Sequence, residues 1–182
     1  MTKLHNNRLR PLRALGQAGV TLVEMLLVMG LLAIFTGIMA TIFVTIIDNQ
    51  AQTEGYNATI ADGRFIIARM DYDIMRATGA GGLGAITAPA TLGATSTNLT
   101  MNIGGTTYNY AVTGGVLQLT DGTGTANISD SSVVVSGLSF LKLGNTGGLH
   151  TIRYTFTLTS TAHHGSGNDT QTFTSTVERR QI

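Results

Sequence analysis

Residues 20–47, VTLVEMLLVMGLLAIFTGIMATIFVTII, run for 28 positions with Glu24 as the only charge. Taken as a helix they extend roughly 42 Å, more than the ~30 Å of a bilayer's hydrocarbon core. A segment this apolar needs lipid or other apolar helices around it. A carboxylate near its edge costs less than one at the bilayer centre, where the penalty is about 2.5–3.5 kcal/mol, but it still calls for a partner.

What flanks the run narrows its use. Lys3, Arg8, Arg10 and Arg13 all precede Gly19, and no acid stands among them. Such an asymmetry favours a cytoplasmic amino terminus with the bulk of the chain exported. An ordinary secretory signal has an apolar core of roughly 7–15 residues followed by an Ala-x-Ala-like site. Here the run is longer, no such site follows it, and the small residues Ala18 and Gly19 lie on its near side. Removing the four leader charges from the 11 basic residues leaves 7 against 10 acidic ones, a balance of −3. A basic nucleic-acid-binding surface on the remainder is therefore not indicated.

The absence of cysteine removes both a disulfide framework and a thiolate metal site. With only 12% of residues charged and 23 glycines, the part after the run suits a polar, turn-rich β domain outside the cytoplasm better than a cytosolic enzyme.

The octapeptide Gly19-Val20-Thr21-Leu22-Val23-Glu24-Met25-Leu26 resembles the cleavage and assembly motif of type IV prepilins and pseudopilins. The resemblance implies a leader, residues 1–19, that stays in the cytoplasm. It also implies a cut between Gly19 and Val20 by the membrane-embedded prepilin peptidase, N-methylation of Val20, and Glu24 at the fifth mature position. Glu24 of one subunit would then pair with the Val20 amine of its neighbour as helices bundle into a filament. Opposite charges in low dielectric attract strongly, whereas a lone buried carboxylate is penalised or neutralised. The alternative for Glu24 is a solvated place at headgroup level, favoured by the helix dipole. Val20 stands where this family most often has Phe. Thr41 stands where its major pilins often carry a Pro that would kink the helix, which favours a minor pilin or pseudopilin.

Beyond residue 48, Ile60, Gly63, Ile67, Met70, Ile74 and Ala77 recur at spacings of three and four and predict one apolar helical stripe. Asp62, Arg69, Asp73 and Arg76 fall on another face, read as a solvated one, with contact to neighbouring subunits as the functional alternative. A helix over 20–78, bent or broken near Gly55, would extend roughly 88 Å. Its close, residues 64–79, resembles the helix ending of minor pilins and pseudopilins of the J and W groups, where an Asp and Arg pattern precedes Ala and Gly. Residues 79–84, Gly-Ala-Gly-Gly-Leu-Gly, predict the helix end and a loop. A phosphate-binding reading of that loop lacks the preceding strand it needs.

From Asn98 the period becomes two. Leu99, Met101 and Ile103 alternate with polar residues, Gly104-Gly105 interrupts, and Tyr108, Tyr110 and Val112 resume, as a hairpin does. Further strands are predicted over 116–120, over 133–143 with an interruption at Gly137, over 152–158, and around Phe173 and Val177. One face of each is apolar, so an antiparallel sheet covering the helix is expected, with Tyr108 and Tyr110 both on the core side.

Few residues outside the motif point to chemistry. His163 and His164 are adjacent, so their side chains diverge, and no third ligand clusters with them. Residues 121–130 are oxygen-rich but lack the acidic spacing of the hand-like Ca²⁺ loop, and a hairpin connection is preferred. No nucleophile elbow, paired-carboxylate signature or phosphate loop is present, so neither enzymatic activity nor a cofactor or metal is expected.

The expectation is an α+β, pilin-like fold: a leader over 1–19, a helix over 20–78 with its membrane part at 20–47, and a β-sheet head over 79–182. The resemblance implies a single-pass inner-membrane subunit with its head outside the cytoplasm, later incorporated into a pilus or pseudopilus filament. Implied partners are sibling pilin or pseudopilin subunits, the prepilin peptidase, an inner-membrane platform protein, membrane lipid and, indirectly, an assembly ATPase; the machine could serve adhesion, secretion or DNA uptake. The rival is a single-span anchored module whose β head binds or adheres to a surface ligand.

Overall fold

The computed structural model describes residues 20–78, 85–146, 148, 150–162 and 167–179. One helix, α1 (Leu22–Arg76), is followed by nine strands: β1 (Ile86–Ala88), β2 (Thr95–Ser96), β3 (Leu99–Ile103), β4 (Thr106–Thr113), β5 (Val116–Asp121), β6 (Gly124–Asn127), β7 (Val133–Gly144), β8 (His150–Ser160) and β9 (Thr170–Glu178). The fold class is α+β, with a long helix packed on antiparallel sheets. The chain divides into two compact units between Val44 and Thr45, and each is described by itself.

In the first unit every described residue is exposed, Val20 at 63% and Phe35 at 57% among them, and apart from Thr21, Glu24, Thr36 and Thr41 none carries a polar side chain. The helix is long and apolar enough to cross a membrane. Its hydroxyls bond inward, as an apolar surrounding requires: Thr36 Oγ1 donates to the Leu32 carbonyl at 2.8 Å and Thr41 Oγ1 to that of Gly37 at 3.1 Å. Thr41, lacking the ring of a Pro, leaves the helical hydrogen bonding intact.

In the second unit two sheets replace the single one expected. The first has the order β1-β3-β4-β5-β6 and the second β2-β7-β8-β9, all antiparallel. Short hairpins build the first sheet. Gly104 and Gly105, at φ 59° and 88°, turn β3 into β4, and Gly114 and Gly115, at 60° and 81°, turn β4 into β5. Two successive positive φ values suit a two-residue turn whose twist matches the strands, and glycine adopts them at least cost. The sheets separate after β6 because the chain turns away there. Asp130 Oδ1 accepts from the Ser132 N–H at 2.8 Å, and Val135 N–H then bonds the Gly115 carbonyl at 2.7 Å, joining β7 to the first sheet at a single turn.

Gly137 explains the phase of β7. It lies at φ 61°, and the register shifts between Ser136, opposite Thr157, and Ser139, opposite Thr155. This is a β-bulge, the form that the expected interruption takes. Val133 and Val135 face the core before it; Leu138, Phe140 and Lys142 face the core after it.

The core forms one cluster in which Ile66, Met70 and Ile74 of α1 meet Leu99, Met101, Tyr110 and Leu117 of the first sheet and Phe140, Ile152, Tyr154 and Phe156 of the second. Each such fully buried large side chain contributes about 1.5–3 kcal/mol. Tyr108 is half-buried and packs against this cluster, while Tyr110 is fully enclosed.

Three expectations for α1 are corrected. The helix is unbroken through Gly55, where an added Cβ would lie 2.9 Å from Ser160 Oγ, so this glycine serves a close approach rather than a break. The buried face keeps Gly63, Met70, Ile74 and Ala77 of the expected stripe and adds Thr59, Ile66 and Asp73, leaving Ile60 and Ile67 only half-buried. Asp73, placed on the solvated face by its charge, is 1% exposed.

Candidate functional site

Of the processing and assembly residues singled out in the sequence, Val20 and Glu24 are described. Gly19 and the leader charges Lys3, Arg8, Arg10 and Arg13 lie outside the described residues, as do the glycine loop 79–84 and His163 and His164. Val20 and Thr21 precede the first helical residue, Leu22. Thr21 caps the helix: its carbonyl accepts from the Met25 N–H at 3.1 Å and its Oγ1 from the Glu24 N–H at 3.2 Å. Glu24 is thus the third residue of the first turn, and Thr-x-x-Glu is the spacing of a capping box. A carboxylate there also meets the positive end of the helix dipole. The helix therefore begins two residues after the expected cut, and its first turn holds Glu24 beside the chain segment that a cut would convert to an amino terminus.

The charged residues of the second half of α1 are built into the fold. Asp73 Oδ2 accepts from the Tyr110 hydroxyl of β4 at 2.5 Å and from Arg69 Nε at 3.0 Å. The 69–73 pair is four residues apart, about one turn of the helix. Arg76 does not pair with Asp73; it donates to the Tyr72 hydroxyl at 3.1 Å, with its guanidinium 4.9 Å from that ring's centroid. Asp71 Oδ1 accepts from the Tyr154 hydroxyl of β8 at 2.6 Å, and Ser175 Oγ of β9 lies 3.3 Å from both Asp71 oxygens. Burial, then the aspartate beside each, pushes the phenols of Tyr110 and Tyr154 well above the usual tyrosine range. Neutral phenols donating to carboxylates are clamps between helix and sheets.

Asp62 is partly buried, which raises its pKa; Asp130 acts on it twice, lowering it by a backbone N–H at 3.3 Å and raising it by its own charge. The oxygen-rich segment 121–130 contains the β5–β6 hairpin, with Asp121 opposite Gly124. Asp121 Oδ1 accepts from the hydroxyl of Thr123 at 2.6 Å and from its N–H at 2.8 Å, and these bonds hold its pKa low. Asp130 is held low by the Ser132 N–H. Both acids thus stabilise their own turns. Among the described residues no group of three or more His, Asp or Glu side chains could hold a metal ion.

Sequence reasoning missed the half-buried Asp71 and the buried Asp73 as acceptors for the phenols, and also Lys142 and Arg179, which are 4% and 5% exposed. For Asp73 a signal existed: it lies seven residues after Ile66 and three after Met70, on the line of the apolar stripe. For Lys142 the signal was a glycine within a strand, the mark of a bulge that reverses which face follows.

No protein-family model, curated protein or solved structure matches this chain.

Proposed function

We propose that the chain is a structural subunit of a type IV pilus-like filament, a minor pilin or type II secretion pseudopilin. Prepilin peptidase would remove residues 1–19, leaving Val20 as an N-methylated terminus, and Glu24 would pair with that amine on a neighbouring subunit. The observation carrying this reading is the start of α1: a capped helix opening at Leu22, Glu24 in its first turn, and an apolar exposed surface thereafter. An apolar surface of this extent requires lipid before assembly and sibling helices after it. The subunit would sit in the inner membrane through residues 20–47, with the residues after them outside the cytoplasm. The prepilin peptidase, a platform protein and, indirectly, an assembly ATPase would be its partners. The reading assigns no enzymatic activity and no cofactor.

Mass spectrometry of the full chain, expressed with and without a prepilin peptidase, tests it. The expected product with the peptidase begins at Val20 and carries one added methyl group; without it the chain keeps residues 1–19. A chain that still begins at Met1 in the presence of the peptidase, yet is incorporated into filaments, overturns the reading.

One observation favours a second reading, a single-span anchored binding module. The Thr21–Glu24 capping spacing gives Glu24 a local task that needs no neighbour.

A further inference from the structure

The inner face of the second sheet ends in a group of basic side chains. Along β8 the core-facing residues are Leu158, Phe156, Tyr154 and Ile152, and the next in the same phase is His150. Along β9 they are Phe173, Ser175 and Val177, and the next is Arg179, whose N–H bonds the His150 carbonyl at 3.2 Å. On β7 the bulge at Gly137 brings Leu138, Phe140 and then Lys142 to the same side, with Lys142 opposite Ile152. Three adjacent strands thus deliver a lysine, a histidine and an arginine to one end of the core.

Their burial is not balanced by acids. Lys142 is 4% exposed and Arg179 5%, while His150 is half-buried. Lys142 Nζ donates to the Ile86 carbonyl at 2.9 Å and to that of Ala90 at 3.4 Å, dipoles that do not cancel its charge. Arg179 Nε is buried and has no hydrogen-bond partner. Among the described residues the one ion pair joins Arg69 to Asp73, so no described carboxylate neutralises Lys142 or Arg179. Glu178 alternates to the exposed face. Burial first, and then the charges of Lys142 and Arg179, hold His150 below the usual histidine range, which places all three within electrostatic reach of one another.

An enclosed guanidinium with an idle N–H, at the same end of the core as an enclosed ammonium, is an energetically costly arrangement that one anion would relieve. The fork of Arg179, Nε with a neighbouring Nη, matches two oxygens of a carboxylate or phosphate. Lys142 has a third proton beyond the two given to carbonyls. His150, the most accessible of the three, marks the entrance. We propose that Lys142, His150 and Arg179 form an oxyanion site at this end of the second sheet, taking one phosphate or carboxylate group. The site stands independently of the filament reading.

The test uses the full chain in neutral detergent micelles, labelled with ¹⁵N in its histidines, with the His150 signals assigned by H150Q. Inorganic phosphate and acetate are titrated separately against chloride at matched ionic strength. The expected result is a saturable shift of the His150 ring signals by at least one oxyanion beyond the effect of chloride. Tighter binding of phosphate assigns a phosphate group, and tighter binding of acetate a carboxylate. Arg179→Gln is expected to weaken binding at least about tenfold, the loss of one charge-assisted hydrogen bond. Should that variant fail to fold, calorimetric titration of H150Q with the preferred ion replaces it, with weakened binding again expected. No response to either ion beyond that of chloride, or equal affinity in the wild type and the variant that folds, overturns the proposal.

Discussion

The Tyr110 hydroxyl donates to Asp73 Oδ2 at 2.5 Å across 37 residues of sequence, fastening α1 to the first sheet. The same oxygen accepts from Arg69 Nε at 3.0 Å, so a carboxylate 1% exposed has a partner on its own helix and another on a strand. Asp71 repeats the device on the second sheet through Tyr154. Tyr110→Phe removes one donor while preserving the ring, and is expected to cost about 1–3 kcal/mol because a buried carboxylate loses a partner. Asp73→Ala should cost more than Asp73→Asn, since alanine leaves the buried phenol without an acceptor. Denaturant unfolding of the full chain measures both, and a double-mutant cycle of Tyr110→Phe with Asp73→Asn should show coupling. Additivity within error would mean that the bond contributes nothing.

Both phenols also predict an alkaline weakness. Burial and the adjacent aspartates raise the folded-state values of Tyr110 and Tyr154 above the ordinary tyrosine value of 10.0. A raised value means that the folded state holds the proton more tightly than the unfolded one. The associated stability is complete below the unfolded value and declines as pH climbs above it towards the folded one. Unfolding midpoints measured from about pH 8 to about pH 12 should stay level and then fall above about pH 10. Tyr110→Phe and Tyr154→Phe should each flatten the fall, and an unchanged slope in both variants would contradict the assignment.

The six strands with at least two apolar residues at period two, β3, β4, β5, β7, β8 and β9, were legible in the sequence because one face of each meets the core. The three that were not are too short to show that pattern or lack it. β2 has two residues and β1 three, and β6, Gly124–Asn127, is exposed at every position and held through pairs such as Thr120 with Thr125 at 2.8 Å. The helix face was misjudged because Ile66 and Ile67 are adjacent and periodicity alone does not choose between them. Tertiary partners make the choice. Thr59 enters the buried line because its hydroxyl bonds the Gly55 and Tyr56 carbonyls, and Asp73 enters because Tyr110 awaits it. At the start of α1 the Thr-x-x-Glu spacing was visible in the sequence, and the cap it foreshadows is the Thr21 Oγ1 that accepts from the Glu24 N–H.

Gly63 of α1 lies against Phe173 of β9. A Cβ at this position would occupy the space of the Phe173 ring, which itself lies against Phe156 with centroids 5.3 Å apart. The obstacle is the end of a ring that packing holds, so it yields only by disturbing its neighbours. Gly63→Ala is expected to destabilise by about 1–3 kcal/mol despite the better helix propensity of alanine. Phe173→Leu introduced with it should recover part of the loss, giving a coupling that thermal unfolding can measure. A stabilised Gly63→Ala would mean that the ring moves aside freely.

Glu24 has two possible tasks, and one pair of variants separates them. As a capping-box residue it acts through an oxygen that glutamine also possesses, so Glu24→Gln should leave the helix start intact. As the counter-charge of a neighbouring ammonium it acts through its ionic charge, and glutamine abolishes that attraction. Thr21→Ala does the reverse: it removes the Oγ1 that accepts the Glu24 N–H, at a cost of about 0.5–2 kcal/mol to the helix end, but keeps the carboxylate. Under the filament reading, Glu24→Gln should reduce incorporation into filaments strongly while circular dichroism of the detergent-solubilised chain is unchanged, and Thr21→Ala should assemble better than Glu24→Gln. Under the anchored-module reading neither the wild type nor a variant enters filaments, and Glu24→Gln is retained in the membrane as the wild type is. Sedimented filaments quantified by immunoblot against the total membrane pool give the ratio, and normal incorporation of Glu24→Gln would leave the charge without a part in assembly.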